Sequence, residues 1–236
     1  MNLEIRILMI TAASIGFFHT LFGPDHYLPF IVMSRARKWS LSRTAWITLL
    51  CGIGHVGSSV ILGGIGIILG IAVSKLQIFE SFRGNLAAWA LIAFGLVYFV
   101  WGLRKAIRNR PHNHVHTHGN SELHEHSHTP IGKHGHVHED GRSNITPWIL
   151  FTVFVFGPCE PLIPILMYPA ATKSIVGLVL ITTIFASITI ITMLGIVLLA
   201  SWGVKLIPLG KIERYSHALA GATILLSGLA IQFLGL

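Results

Sequence analysis

Apolar residues run almost without interruption through six stretches of the chain, near 5–30, 45–73, 85–103, 146–170, 174–204 and 215–236. Each is long enough to cross a hydrocarbon layer about 30 Å thick as an α-helix. The runs are continuous rather than alternating, which predicts helices and not the strands of a barrel. The pattern therefore predicts an all-α polytopic membrane protein with six transmembrane helices. Composition agrees: 53% of the residues are hydrophobic and 11% charged, against about 25% charged in soluble domains.

One phrase occurs twice. FGPDHYLPF at 22–30 is answered by FGPCEPLIP at 156–164, so that Phe22, Gly23 and Pro24 return as Phe156, Gly157 and Pro158. Proline lacks an N–H and clashes with the carbonyl four residues back, so each phrase should break its helix. The repeat divides the chain into 1–110, a polar insert at 111–145, and 146–236. Each outer part has an odd number of spans. Two such halves in series cross the bilayer in opposite senses, which predicts two inverted three-helix repeats with broken first helices meeting at mid-membrane.

A formal net charge of +8 raises the question of nucleic acid, but its distribution points to a bilayer. Thirteen cationic side chains fall on the first, third and fifth connections, among them Arg35, Arg37, Arg104, Lys105, Lys205 and Arg214. Only Arg6, Lys75, Arg83 and Lys173 fall on the other face. The positive-inside rule then puts the basic connections in the cytoplasm and both termini outside, in a plasma or inner membrane. The N-terminal run reads as a retained span, since its charged region is only Glu4 and Arg6. No Gly-x4-Gly-Lys-Ser/Thr loop is present, so no ATPase and no other enzymatic activity is expected. Cys51 and Cys159 lie in different spans and imply no disulfide framework.

The candidate chemistry lies inside the apolar stretches. Of the nine acidic residues four lie in the insert, and Glu4, Glu80 and Glu213 read as charges at span ends, which leaves Asp25 and Glu160 as the intramembrane acids. A carboxylate at that depth costs about 3 kcal/mol or more, so it needs a partner or a wet cavity. His26 adjoins Asp25, Cys159 adjoins Glu160, and His19 and His55 are further imidazoles within spans. On an unbroken helix His19 and His26 would be separated by about 10 Å along the axis, too far for one ion; the break at Pro24 can fold them together. His19, Asp25, His26, His55, Cys159 and Glu160 form the proposed ligand pool. Nitrogen, carboxylate and thiolate donors suit Ni²⁺, Co²⁺ or Zn²⁺ better than Mg²⁺ or Ca²⁺. The plainer role of His55 is a hydrogen bond between helices, and that of Cys159 an inert packed thiol. His217 and Cys51 read as structural. Gly63, Gly66 and Gly70 suit close packing within the chain, with homodimerisation the second use.

The insert holds ten of the fourteen histidines, spaced alternately from His112 to His138. So few apolar residues accompany them that no core can form. The segment is expected to lack fixed structure and to bind metal.

The motif His19-x5-Asp25-His26 resembles the histidine/aspartate signature of the nickel/cobalt transporter superfamily, in particular its six-span exporters with a His-rich loop, and Gly54-His55 resembles the element that follows it there. The resemblance implies a secondary transporter of Ni²⁺ or Co²⁺, its histidine loop reading most simply as a collector for efflux. The second phrase, Gly-Pro-Cys-x-Pro-Leu-x-Pro, looks more like the thiol–disulfide carriers of cytochrome c biogenesis. That resemblance implies the alternative, a transmembrane electron carrier using Cys51 and Cys159. Thiol exchange needs a dithiol that forms and breaks, and the first phrase has Asp25 where the second has Cys159. The metal transporter is therefore the leading expectation. A metal sensor or store is the third, and it leaves the buried acids unexplained.

Overall fold

The computed structural model describes residues 3–108, 112–117, 123–128, 145–157, 159–171, 174–208 and 210–234. Helices account for all the apolar stretches. They are α1 (Leu3–Phe22), a 3-10 turn (Pro24–His26), α2 (Leu28–Ala36), α3 (Leu41–Ile68), α4 (Val73–Arg108), α5 (Ile145–Phe156), α6 (Leu162–Ala171), α7 (Ile175–Leu206), a second 3-10 segment (Gly210–Tyr215) and α8 (Ser216–Leu234). Five helical stretches, Leu3–Phe22, Leu41–Ile68, Val73–Arg108, Ile175–Leu206 and Ile212–Leu234, are long and apolar enough to cross a membrane. The chain is a multi-pass membrane protein. The fourth expected span, 146–170, is two short pieces, α5 and α6, either side of a break. The first break also differs from expectation: it follows a complete 20-residue helix rather than dividing a span in its middle.

Within the insert, β1 (His112–Thr117) and β2 (Leu123–His128) pair antiparallel, with His112 opposite His128, His114 opposite His126 and His116 opposite His124. This short ribbon was not expected. The other histidines of 111–145, and Pro158 in the second phrase, lie outside the described residues.

Small residues set the tightest contact. α4 and α8 run antiparallel, and a β-carbon on Gly95 would meet the backbone of Leu225, one on Gly102 the backbone of Ala218, and one on Gly221 the backbone of Phe99. Without side chains at these points the two helices touch main chain to main chain, which gains dispersion where lipid offers no hydrophobic drive. α7 shows the complementary pattern, a buried stripe every fourth residue: Gly177, Ile181, Phe185, Thr189, Met193, Val197 and Ser201. Helices α1 and α3 both pack on α7, while α5 packs on α3. Outward residues such as Trp46, Ile61, Val97 and Leu199 are exposed, as lipid contact requires. Gly66 receives the side chain of Leu76 and Gly63 faces Leu166, so both serve packing within the chain.

The connection after α2 is tied to the end of α7. Arg35 donates from Nη1 to the carbonyls of Val204 and Lys205 and from Nη2 to that of Ile207, and Lys205 Nζ donates to the Trp39 carbonyl. Arg35 there bonds carbonyls at the end of α7 and meets the negative end of its dipole.

Candidate functional site

Local chemistry makes the first break. The Gly23 N–H closes the last turn of α1 on the His19 carbonyl at 3.1 Å, and Pro24 then has no N–H to continue. The chain tightens instead into a 3-10 turn, with the His26 N–H on the Gly23 carbonyl at 3.0 Å. Pro29 restarts a helix in the first turn of α2, where a missing N–H costs nothing. The reversal brings the His26 ring to 4.8 Å from that of His19, centroid to centroid. His55, from α3, closes the group at 5.0 Å from the His26 ring. One nitrogen of each of His19, His26 and His55 lies within 4.8 Å of the other two.

The partners of these rings decide what their free nitrogens can do. His26 Nδ1 lies 3.1 Å from the Gly23 carbonyl and 3.1 Å from Asp25 Oδ1, two acceptors, so it carries a proton. His55 Nδ1 faces the Phe154 carbonyl at 3.4 Å and is likewise the donor. With both protons on Nδ1, the two Nε2 atoms present lone pairs to each other at 3.3 Å. Lone pairs so close repel, and a proton or a metal cation between them removes the repulsion. His19 Nε2 is buried with no hydrogen-bond partner among the described residues. The three imidazoles thus converge as nitrogen donors, with Asp25 behind one of them in the arrangement that orients metal-binding histidines.

A cavity of about 830 Å³ opens onto the group. Its walls include His19, Gly23, Asp25, His26 and His55 from the first half and Gly157, Glu160 and Pro161 from the second. The two breaks therefore face one cavity. α4 contributes Ser81, Asn85 and Ala88 to the lining. Glu160 is an exposed residue on this cavity and not among the converging donors. Cys159 is fully buried with Ala12, Val56, Leu162 and Phe185, turned away from the imidazoles. Cys51 is buried in a separate cluster with Phe30, Met33, Leu150 and Met193. Both thiols are free. His217 stands apart, with Nδ1 at 2.8 Å from the Tyr98 hydroxyl and Nε2 at 3.3 Å from Lys105 Nζ.

Two residues belong beside the site that the charge pattern assigned to a span end. Glu80 and Arg83 are buried within α4 as an ion pair. They lie against the second break, and a full unbroken helix to Arg108 carries them into the bundle. No periodicity distinguishes such a pair from solvated end charges. Its only trace in the sequence is the i, i+3 spacing of opposite charges.

Comparison with known proteins bears on both resemblances. The family described as cytochrome C biogenesis protein transmembrane region matches residues 28–232. No curated protein matches the chain, and no solved structure does. The family match overturns the expected membership of the nickel/cobalt transporter superfamily, and with it transport of Ni²⁺ or Co²⁺ as the leading function. The matched stretch contains Cys51, His55, Glu80, Arg83 and Cys159, and starts after His19, Asp25 and His26. The short motif that carried the metal-transporter resemblance is therefore a local likeness of eight residues at 19–26, outweighed by one that runs through nearly all the helices.

Proposed function

We propose, for a chain that belongs to the cytochrome c biogenesis protein transmembrane-region family, that it is a transmembrane thiol–disulfide carrier with Cys51 and Cys159 as its exchanging pair. One observation carries the reading: the family match spans both free thiols, one of them at a helix break where the backbone can move. The chemistry balances without a bound cofactor. The Cys159 thiolate attacks a disulfide of a partner protein and forms a mixed disulfide. The Cys51 thiolate then attacks Cys159, closes the internal disulfide and releases the partner as a dithiol. A partner dithiol on the other side of the membrane reverses these steps, so two electrons cross per cycle.

The described state is the reduced, separated one. The Cys159 N–H is bonded to Ser59 Oγ at 3.2 Å, and Ser59 lies about 12 Å further along α3 than Cys51 at 1.5 Å per residue. A disulfide needs α-carbons within about 7 Å. The carrier cycle therefore includes movement of the segment between α5 and α6 along α3. Inverted halves would supply that movement as rocking. The exchanged packing supports them, since α1 of the first half lies on α7 of the second, and α5 of the second on α3 of the first. The bias of basic residues supports a cytoplasmic position for the first, third and fifth connections.

Mild oxidation of the membrane-embedded chain, followed by thiol alkylation and a non-reducing gel, tests the pair. The wild type should lose both alkylatable thiols and shift. Cys51→Ser and Cys159→Ser should each keep one thiol and not shift. Two thiols still open to alkylation in denaturant after oxidation would sink the reading.

A second reading is favoured by the facing imidazole nitrogens: the cavity binds a divalent transition-metal ion through His19, His26 and His55, with Asp25 orienting His26. This reading concerns binding alone. Imidazole donors suit Co²⁺, Ni²⁺ and Zn²⁺. Co²⁺ added to the purified chain should give visible absorption bands that His55→Ala abolishes. Asp25→Asn should weaken binding about 10–100-fold, as loss of a partner behind a metal-bound histidine does. The histidines of the insert form a separate pool, so both variants are compared in a chain lacking 111–144. Bands that persist in His55→Ala would refute it.

A further inference from the structure

Among the helical hydrogen bonds that the second break removes is the one that the Cys159 N–H would donate to the Val155 carbonyl four residues back. Both groups are inside the bundle, where neither can turn to water, and an orphaned backbone group there costs several kcal/mol. Each has found a substitute. The Val155 carbonyl accepts from Arg83 Nη2 at 2.8 Å. The Cys159 N–H donates to Ser59 Oγ at 3.2 Å. Ser59 in turn donates to Glu80 Oε2 at 3.3 Å, and Glu80 pairs with Arg83 through its other oxygen. Arg83 Nη2 also donates to Ser58 Oγ at 2.7 Å. The two ends of the missing bond are thus joined through three side chains, Arg83 and Glu80 on α4 and Ser59 on α3, with Ser58 bracing Arg83 from the side.

The first break has no such splice. The bonds described there are local: those of the 3-10 turn, the His26 ring on the Gly23 carbonyl, and the Tyr27 hydroxyl donating to the Leu21 carbonyl at 3.3 Å. The ion pair thus serves the thiol-bearing break alone. Glu80 is 1% exposed, and burying a charge this deeply is repaid only where all its bonds are made. A guanidinium is suited to the task, because its planar fork can bond the carboxylate and the carbonyl at once.

We propose that Glu80 and Arg83 are positioning residues for Cys159: they splice the broken backbone to α3 and α4 and hold the thiol in its shielded place. The consequence for exchange rests on the thiol-carrier reading, but the splice itself does not. If the carrier reading holds, the thiol becomes available only when Arg83 lets go of the Val155 carbonyl, which links exposure of Cys159 to movement of the break.

The test is the rate at which a maleimide alkylates Cys159 in a Cys51→Ser chain kept folded in membranes. Arg83→Gln should raise that rate about tenfold or more, the factor expected when a hydrogen bond to a charged group is lost. Arg83→Lys keeps the ion pair but lacks the fork, and should fall between Arg83→Gln and the parent. Ser59→Ala removes a single hydroxyl and keeps the test readable if Arg83→Gln does not accumulate; it too should raise the rate. Labelling of Cys51 in a Cys159→Ser chain serves as the comparison and should not respond to these changes. A Cys159 rate that stays at the parent value in Arg83→Gln and Ser59→Ala would overturn the proposal. So would an equal rise at Cys51, which marks general loosening. Failure of the carrier reading looks different: no internal disulfide forms, while the alkylation response to Arg83 remains.

Discussion

Gly23 governs the imidazole group from outside it. Its backbone, at φ −87° and ψ 94°, is open to any residue, so glycine is not needed there for conformation. It is needed for space, because a β-carbon would run into Nδ1 and Cε1 of His26. Gly23→Ala should therefore leave the turn possible and drive the His26 ring off its carbonyl and out of the cluster. Overpacking of this kind costs about 1–3 kcal/mol. A Co²⁺ titration and a melting curve check it together: the expected outcome is weakened Co²⁺ binding with a modest loss of stability. Unchanged binding would mean that the ring does not depend on this space. The histidines themselves were legible in the sequence, since a polar residue in an apolar run is costly and the proline told where the chain could fold back. That Cys159 and Glu160 do not join them was not legible. Neighbouring residues on an irregular backbone point in directions set by what packs around them, and here Cys159 turns toward Phe185 and Leu162 while Glu160 stays on the cavity.

Among the elements, the α4–α8 pair depends most on side chains that are absent. Gly95 and Gly102 on α4 lie against Leu225 and Ala218, and Gly221 and Gly228 on α8 lie against Phe99 and Ile92, across an antiparallel contact. Gly221→Val would place two methyl groups against the backbone of Phe99, which has no room to yield. The expected loss is at the upper end of about 1–3 kcal/mol or beyond it. Gly195→Val is the comparison, since nothing lies within 4 Å of its β-carbon site. Melting of the two variants in detergent should separate them, with Gly221→Val unfolding well below the parent and Gly195→Val close to it. The length of α4 also accounts for the misplacement of Glu80 and Arg83. The apolar run begins near 85, but the helix begins at Val73, because helical bonds continue wherever other helices cover the backbone, whatever the hydropathy of the residues.

At the scale of the molecule the two breaks line one cavity, and they are stabilised by different means. The first holds its own loose ends and presents imidazoles. The second is held from outside by an ion pair on α4 and buries a thiol. This difference fits a carrier in which one half offers a fixed polar wall and the other a segment that can be released. It also explains how two resemblances arose from one chain. The short motif at 19–26 and the long similarity at 28–232 describe different parts of the molecule, and the longer one decides the family.

Hydropathy alone determined that the chain crosses a membrane many times as helices, because only helices and closed barrels satisfy a backbone in lipid and its apolar runs are continuous rather than alternating. Two proline phrases alone determined where those helices must break. Which groups would meet at the breaks was left to the tertiary structure. The proximity of His55 to His26, the turning away of Cys159, and the capture of the Val155 carbonyl by Arg83 each join residues 29 or more positions apart. Such contacts follow from how helices lie on one another, and local sequence carries the need for a partner without naming it.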